Sequence, residues 1–249
     1  METFRLPTKE VVRKFDRAVS LEYRGSESPF MRPVFFWIIL LTSLASSSLS
    51  WAGKLKVWHE VHKGAPSWVK AEGAFTASPE KVWNSLIRFN DYKTFMPRVQ
   101  ESFAISEEGL EALRQAPTRN ANKLRVLAQK YKIEMQRQPG KKWDGFVFMV
   151  LDMPFPVENR WYVIHASQDE TKSAQHIYQR CWDLVFGNIE AAQGCWTLKP
   201  SEDGKETVAL YEDSVNPGGK VPQWATRMGA TKTVPEIFES LEKVASSGI

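Results

Sequence analysis

The chain has little of what reactive centres are usually made from. Its 249 residues hold four histidines and two cysteines. It contains no glycine-rich phosphate loop, no nucleophile elbow, no cysteine and histidine couple, and no carboxylate pair that strand alternation would bring together. Phosphoryl transfer and hydrolysis by an activated nucleophile find no support, and no enzymatic role is expected. His59 and His62 stand three apart, but no cysteine pair or third ligand lies at a telling distance; His165 and His176 fall in predicted strands without a nucleophile beside them. No metal or other cofactor is expected. No segment repeats, which sets aside solenoids and propellers. Charge of one sign is lacking too: 33 basic residues face 29 acidic ones for a net +4, a poor footprint for nucleic acid, which is not expected as a partner.

A bilayer-spanning apolar run is also missing. The run that opens at Val34 ends by Ala45, short of the roughly 20 residues a span requires. Ser46-Ser47-Ser48 follows, with Ser50 and Ala52 at the −3 and −1 places before Gly53, the layout of a secretory signal peptide. Met31-Arg32-Pro33 makes a normal leading segment for it, so residues 31–52 read as a signal peptide and 1–30 as an extension before the true start. An uncleaved anchor over 34–52 is the open alternative. Residues 53–66 read as a linker, and the mature protein is expected outside the cytoplasm, periplasmic or extracellular.

From residue 67 to 249 the pattern is that of one α+β domain. Val221, Trp224, Met228, Thr231, Val234, Phe238, Leu241 and Val244 recur at three and four, the stripe of a long final helix over Val221–Ser247. Before it, strands are predicted at Trp68–Ala77, Arg98–Ile105, Trp143–Met153, Arg160–Ala166, His176–Val185, Cys195–Lys199 and Thr207–Asp213, mostly antiparallel because their connections are short. Ser78 and Pro79 begin a helix that ends near Asn90, and Asp91–Phe95 forms a second. Glu107–Ala116 reads as an inserted helix, on the surface or rimming a cavity. Leu127, Tyr131, Ile133 and Met135 alternate with Lys130, Lys132 and Glu134 as another strand, its basic edge either solvated or set against anionic lipid headgroups. The sheet is expected to curl around the final helix. If the hairpin after His176–Val185 turns about Asn188, Cys181 and Cys195 stand opposite each other; a disulfide and two separate thiols both remain open.

Ala77-Ser78-Pro79-Glu80-Lys81-Val82-Trp83, then Phe89-Asn90-Asp91-Tyr92 and Phe95-Met96-Pro97-Arg98-Val99, resembles the opening of the START-like superfamily. This helix-grip (SRPBCC) group includes lipid-transfer START domains, coenzyme-Q-binding proteins and aromatic polyketide cyclases. Met153-Pro154-Phe155-Pro156-Val157-Glu158-Asn159-Arg160 resembles its proline-rich turn and middle-strand arginine, although Trp161 stands where an acid is usual. Gly194–Pro200, Asn216–Gly219 and Val221-Pro222-Trp224 resemble its last strands and entry to the final helix.

The resemblance implies a cavity between sheet and helix. Its inward candidates are Phe75, Trp83, Phe95 and Met96 from the first half, and Phe146, Phe148, Tyr162 and Ile164 from the middle strands. Tyr178, Trp182, Trp196, Leu198, Trp224, Met228 and Phe238 complete them. Aromatics and methionines of this kind suit an adaptable apolar pocket, and each is equally at home in plain core. Arg160 and Arg180 share those faces and must be paired, with Asp152 and Glu158 the nearest acids in sequence, or meet an anionic or carbonyl head. Stacking on Trp196 is the other option for Arg180.

The expected function is binding, and possible transfer, of a lipid or other hydrophobic small molecule by a monomer that visits membrane surfaces. The loops near Met96 and Pro154 are expected to admit the ligand. An aromatase or cyclase-type enzyme would show clustered Arg, Tyr and Asp groups in the cavity. A membrane-tethered interaction module would show a filled core.

Overall fold

A computed structural model describes residues 55–60, 68–153, 155, 157–218 and 232–247. The chain falls into two compact units, Met1–Ser48 and Leu49–Ile249, and all described residues belong to the second. The predicted signal or anchor segment, and Trp224 and Met228, which the sequence places in the front half of the predicted final helix, lie outside the described residues.

Eight strands form one antiparallel sheet in the order β1-β2-β8-β7-β6-β5-β4-β3. They are β1 (Lys56–Glu60), β2 (Trp68–Phe75), β3 (Val99–Ile105), β4 (Lys142–Leu151), β5 (Arg160–Asp169), β6 (Tyr178–Gly187), β7 (Ala191–Pro200) and β8 (Thr207–Asn216). Helices α1 (Pro79–Ile87) and α2 (Tyr92–Phe95) follow β2, α3 (Glu107–Gln115) and α4 (Ala121–Lys130) follow β3, and α5 (Val234–Ser247) closes the domain. The fold is the expected helix grip. Ring stacking fastens α5 to the concave face: Phe238 lies 5.3 Å from Phe75 and 5.1 Å from Trp196. Glu242 of α5 accepts a bond from the Thr76 backbone N–H at 3.0 Å.

Three expectations fail for local reasons. The predicted linker contains β1, because Lys56–Glu60 pairs along its whole length with Trp68–Glu72 and needs the rest of the sheet to do so. The strand predicted through Leu127, Tyr131, Ile133 and Met135 is instead the last turn of α4, which ends at Lys130, followed by an irregular stretch in which Lys132 makes an isolated bridge to Ile105. Leu124 and Ala128, one turn apart, are fully buried on the sheet, and the Asn120 side chain caps the helix by accepting from Asn122 N and Lys123 N. Phe146 and Phe148 do not face the final helix. They lie on the convex side of β4 in a second core with Phe103, Ile105, Trp161 and Val163, roofed by Leu113 of α3 and Leu124 of α4. The insertion after β3 therefore gives the outer face a lid, and that lid needs the large side chains. Phe103 and Ile105 go the same way, while Val99 stays inward. A register shift between Val99 and Glu101 separates them.

Cys181 and Cys195 are directly opposed in the β6–β7 ladder and form a disulfide, Cα–Cα 4.0 Å.

Candidate functional site

Cross-strand register lays the concave side chains out in rows. One row reads Ala71, Tyr211, Trp196, Arg180, Gln168, Trp143. On one side of it runs Gly73, Ala209, Leu198, Tyr178. On the other side runs Val69, Asp213, Gly194, Trp182, Ala166, Gly145. The two ends of the concave face differ in how completely they are filled.

The end nearest α1 is solid. Phe75, Trp83, Tyr178, Trp196, Leu198 and Phe238 are fully buried, and Trp83 stacks on Tyr178 at 5.3 Å. Most of its polar groups are satisfied by one another, although Trp83 Nε1 has no hydrogen-bond partner. The buried Glu170 carboxylate accepts from Trp143 Nε1 at 3.0 Å, Gln138 N at 3.1 Å and Arg137 Nε at 3.1 Å. Burial pushes this carboxyl up, but those bonds outweigh it and hold Glu170 below the usual range.

In the middle stands Arg180, 6% exposed. It donates to the Leu86 carbonyl at the end of α1 and to the Tyr92 hydroxyl. Its guanidinium lies over Phe89 at 5.1 Å, Trp182 at 5.5 Å and Tyr92 at 5.7 Å. Among the described residues it has no carboxylate partner, so the acids nominated from sequence are not its partners. It rings itself with aromatics, though not by the Trp196 stack proposed from sequence.

At the far end the inward side chains are incompletely covered. Trp182, Leu184, Leu151, Val99 and Phe95 point into the same core yet keep accessible surface. Met96, Tyr162 and Ile164 complete this wall and are buried. Arg160 does not enter it: Nε donates to the Pro217 carbonyl at 2.9 Å and Nη1 to that of Glu158 at 3.0 Å. Because β5 and β8 are separated by two strands in the sheet, the Arg160 bond to Pro217 draws the curl together at this end.

Asp213 sits among these residues, partly accessible. Burial raises its carboxyl to about 6, with the Tyr211 hydroxyl and the Ser214 N–H pulling it partly back. Burial, with the Asp213 charge added, also raises Tyr211 and Tyr162. Tyr92, Tyr211 and Asp213 were not found from sequence. Alternation along Thr207–Asp213 would have put Tyr211 and Asp213 on one face, but an acid at a strand end reads as solvent-facing.

Among the described residues no group of three His, Cys, Asp or Glu side chains could hold a metal, and no helix is long and apolar enough to cross a membrane.

Known proteins resemble this arrangement. A family model described as polyketide cyclase/dehydrase and lipid transport matches residues 75–242. An uncharacterized protein of Pseudomonas aeruginosa is 26% identical over 151 residues, which cover 58% of this chain and 71% of that one. The solved STAR-related lipid transfer protein of Xanthomonas axonopodis aligns with TM-score 0.55 and 19% identity over 82% of this chain and 98% of its own. Human STARD10 aligns with TM-score 0.54 and 14% identity over 99% of this chain and 82% of its own.

Proposed function

This chain belongs to the polyketide cyclase/dehydrase and lipid transport family, and we propose from that premise that it binds a lipid or another hydrophobic small molecule between the concave sheet and the final helix, and carries it between membranes. One observation carries the reading: Trp182, Leu184, Leu151, Val99 and Phe95 at the Arg160 end keep accessible surface, while Phe75, Trp83, Tyr178 and Leu198 at the α1 end have almost none. A module whose core is filled by its own side chains would show the solid end twice. Affinity comes from apolar burial, about 25 cal/mol per Å² removed from water. The loop between β4 and β5 carries Phe155, 93% exposed, a side chain suited to dip into lipid beside the mouth. The Cys181–Cys195 bond supports export, since disulfides persist in oxidising compartments.

Native mass spectrometry of protein purified from an exporting host tests this, followed by extraction of whatever is bound. A co-purifying lipid or quinone is expected. A protein that stays empty after incubation with a total lipid extract would overturn the carrier reading. A second reading, an aromatase or cyclase-type enzyme, draws on the interior cluster of Arg180, Tyr92, Tyr162, Tyr211 and Asp213. Conversion of a poly-β-keto substrate, which loss of those groups abolishes, would favour it.

A further inference from the structure

The two arginines that seemed made for a ligand head are both engaged by the protein itself. Arg180 spends its contacts on Leu86, Tyr92 and three aromatic faces, and Arg160 on backbone carbonyls at the mouth. Arg180 has no carboxylate partner but is engaged by a carbonyl, a hydroxyl and three rings; the other interior charged group without a counter-ion among the described residues is an acid. Among the described residues Asp213 takes part in no ion pair, and its row is otherwise apolar or without a side chain: Val69, Gly194, Trp182, Ala166 and Gly145.

Gly194 matters here because a Cβ on it would fall 2.4 Å from Cζ2 of Trp182 and 2.3 Å from the Glu212 carbonyl oxygen. Without that Cβ, the Trp182 ring packs over Gly194, the residue that separates it from Asp213 in the row. Tyr211 stacks against Trp182 at 6.0 Å and meets Trp196 in a tilted contact at 4.6 Å. The result is an aromatic slot with a carboxyl and a phenol hydroxyl at one place on its wall.

An ionised carboxylate only accepts hydrogen bonds, and leaving it unpaired in an apolar space is costly. A ligand head that donates relieves that cost; an anionic head adds to it. We infer that Asp213 and Tyr211 form the head-group subsite of the cavity and select an apolar ligand that ends in a hydrogen-bond donor, a hydroxyl or a protonated amine, over one that ends in a carboxylate or phosphate. The inference rests on the ligand-binding reading above and reverses the anion preference expected of the two arginines.

The test uses the full protein loaded with N-phenyl-1-naphthylamine, whose fluorescence reports an apolar site. The dye is displaced at neutral pH by dodecanol, dodecylamine or dodecanoate. Dodecanol, dodecylamine or both should displace it at concentrations about tenfold below dodecanoate, the size of one charge-assisted hydrogen bond. The preferred arm identifies the donor. Asp213→Asn should bring all three within about twofold of one another, and Tyr211→Phe should narrow the gap in part while keeping its order. Dodecanoate binding best, or an unchanged gap in Asp213→Asn with Tyr211→Phe also neutral, would overturn the subsite while leaving the cavity standing. A protein that takes up no dye and no competitor would overturn the cavity and the subsite together.

Discussion

Glu170 and Asp213 are both acids set inside the same curved sheet, at opposite ends of its concave side, and they are treated in opposite ways. Glu170 is met by an indole N–H, a backbone N–H and a guanidinium, and its carboxyl is held low. Asp213 is met by one phenol and one backbone N–H, and its carboxyl is pushed up to about 6. Around Glu170, Trp83 and Tyr178 are fully buried and Trp143 is partly exposed; around Asp213, Tyr211 and Tyr162 are buried and Trp182 is partly exposed. A folded chain satisfies its buried charges where they serve packing. On the proposed reading, the acid with fewer partners is the one that a ligand completes.

The largest effect that could break this comparison is at the closed end. Glu170→Gln keeps the shape but removes the charge that Arg137 and Trp143 address, and should cost about 3 kcal/mol in urea denaturation, typical of breaking a buried ionic network from one side. The pH dependence has a fixed sign. The folded-state carboxyl lies below its unfolded value, so the stabilisation is present above the ordinary glutamate range and is lost as pH falls through the folded value. The variant should lose that part of the acid dependence. An unchanged midpoint would mean that the closed end is held by its rings alone.

Asp213 should do the reverse, and more weakly. Its folded-state carboxyl is raised, so the penalty is absent below the ordinary aspartate range, builds as pH rises, and is complete above about 6. Asp213→Asn should therefore stabilise the empty protein at neutral pH by about 2 kcal/mol, the size of the shift discounted for the accessible part of the side chain. The gain should vanish in acid. A variant less stable than the parent at neutral pH would show that Asp213 serves packing, as Glu170 does.

The same contrast explains what could be read from the chain alone. Strand alternation, the Ser78-Pro79 helix start and the facing of Cys181 and Cys195 are local patterns, and they placed most of the sheet and set the two cysteines opposite each other, with their bond left open. Phe75, Trp83, Tyr178, Trp196 and Phe238 were legible as interior because rings of that size have nowhere else to go. Phe146 and Phe148 were not, since only the α3–α4 insertion makes the convex face a second core. The register shift after Val99 reverses the facing of Phe103 and Ile105 without any sequence mark. Asp213 was hidden because its meaning comes from Gly194 and Trp182 on neighbouring strands, which no spacing along the chain reports.

The smallest effect on stability should come from the rim of the open end, where the comparison is sharpest for function. Asn159 fastens the base of the β4–β5 loop by accepting from Met153 N at 3.1 Å and donating to Gln100 Oε1 at 3.0 Å. Asp152 N bonds the Arg98 carbonyl at 2.8 Å. Phe155, with Pro154 and Pro156 on either side in sequence, is 93% exposed. Phe155→Ser removes no packing, so its unfolding free energy should stay within about 0.5 kcal/mol of the parent. Flotation with phosphatidylcholine vesicles containing phosphatidylglycerol should nonetheless show association falling about thirtyfold, since burying one phenylalanine in lipid contributes roughly 2 kcal/mol. Glu170→Gln, at the far end, should float like the parent while it stays folded. Equal flotation of Phe155→Ser and parent would move the membrane-facing surface away from the mouth, and the unfilled end would then have to receive its ligand from solution.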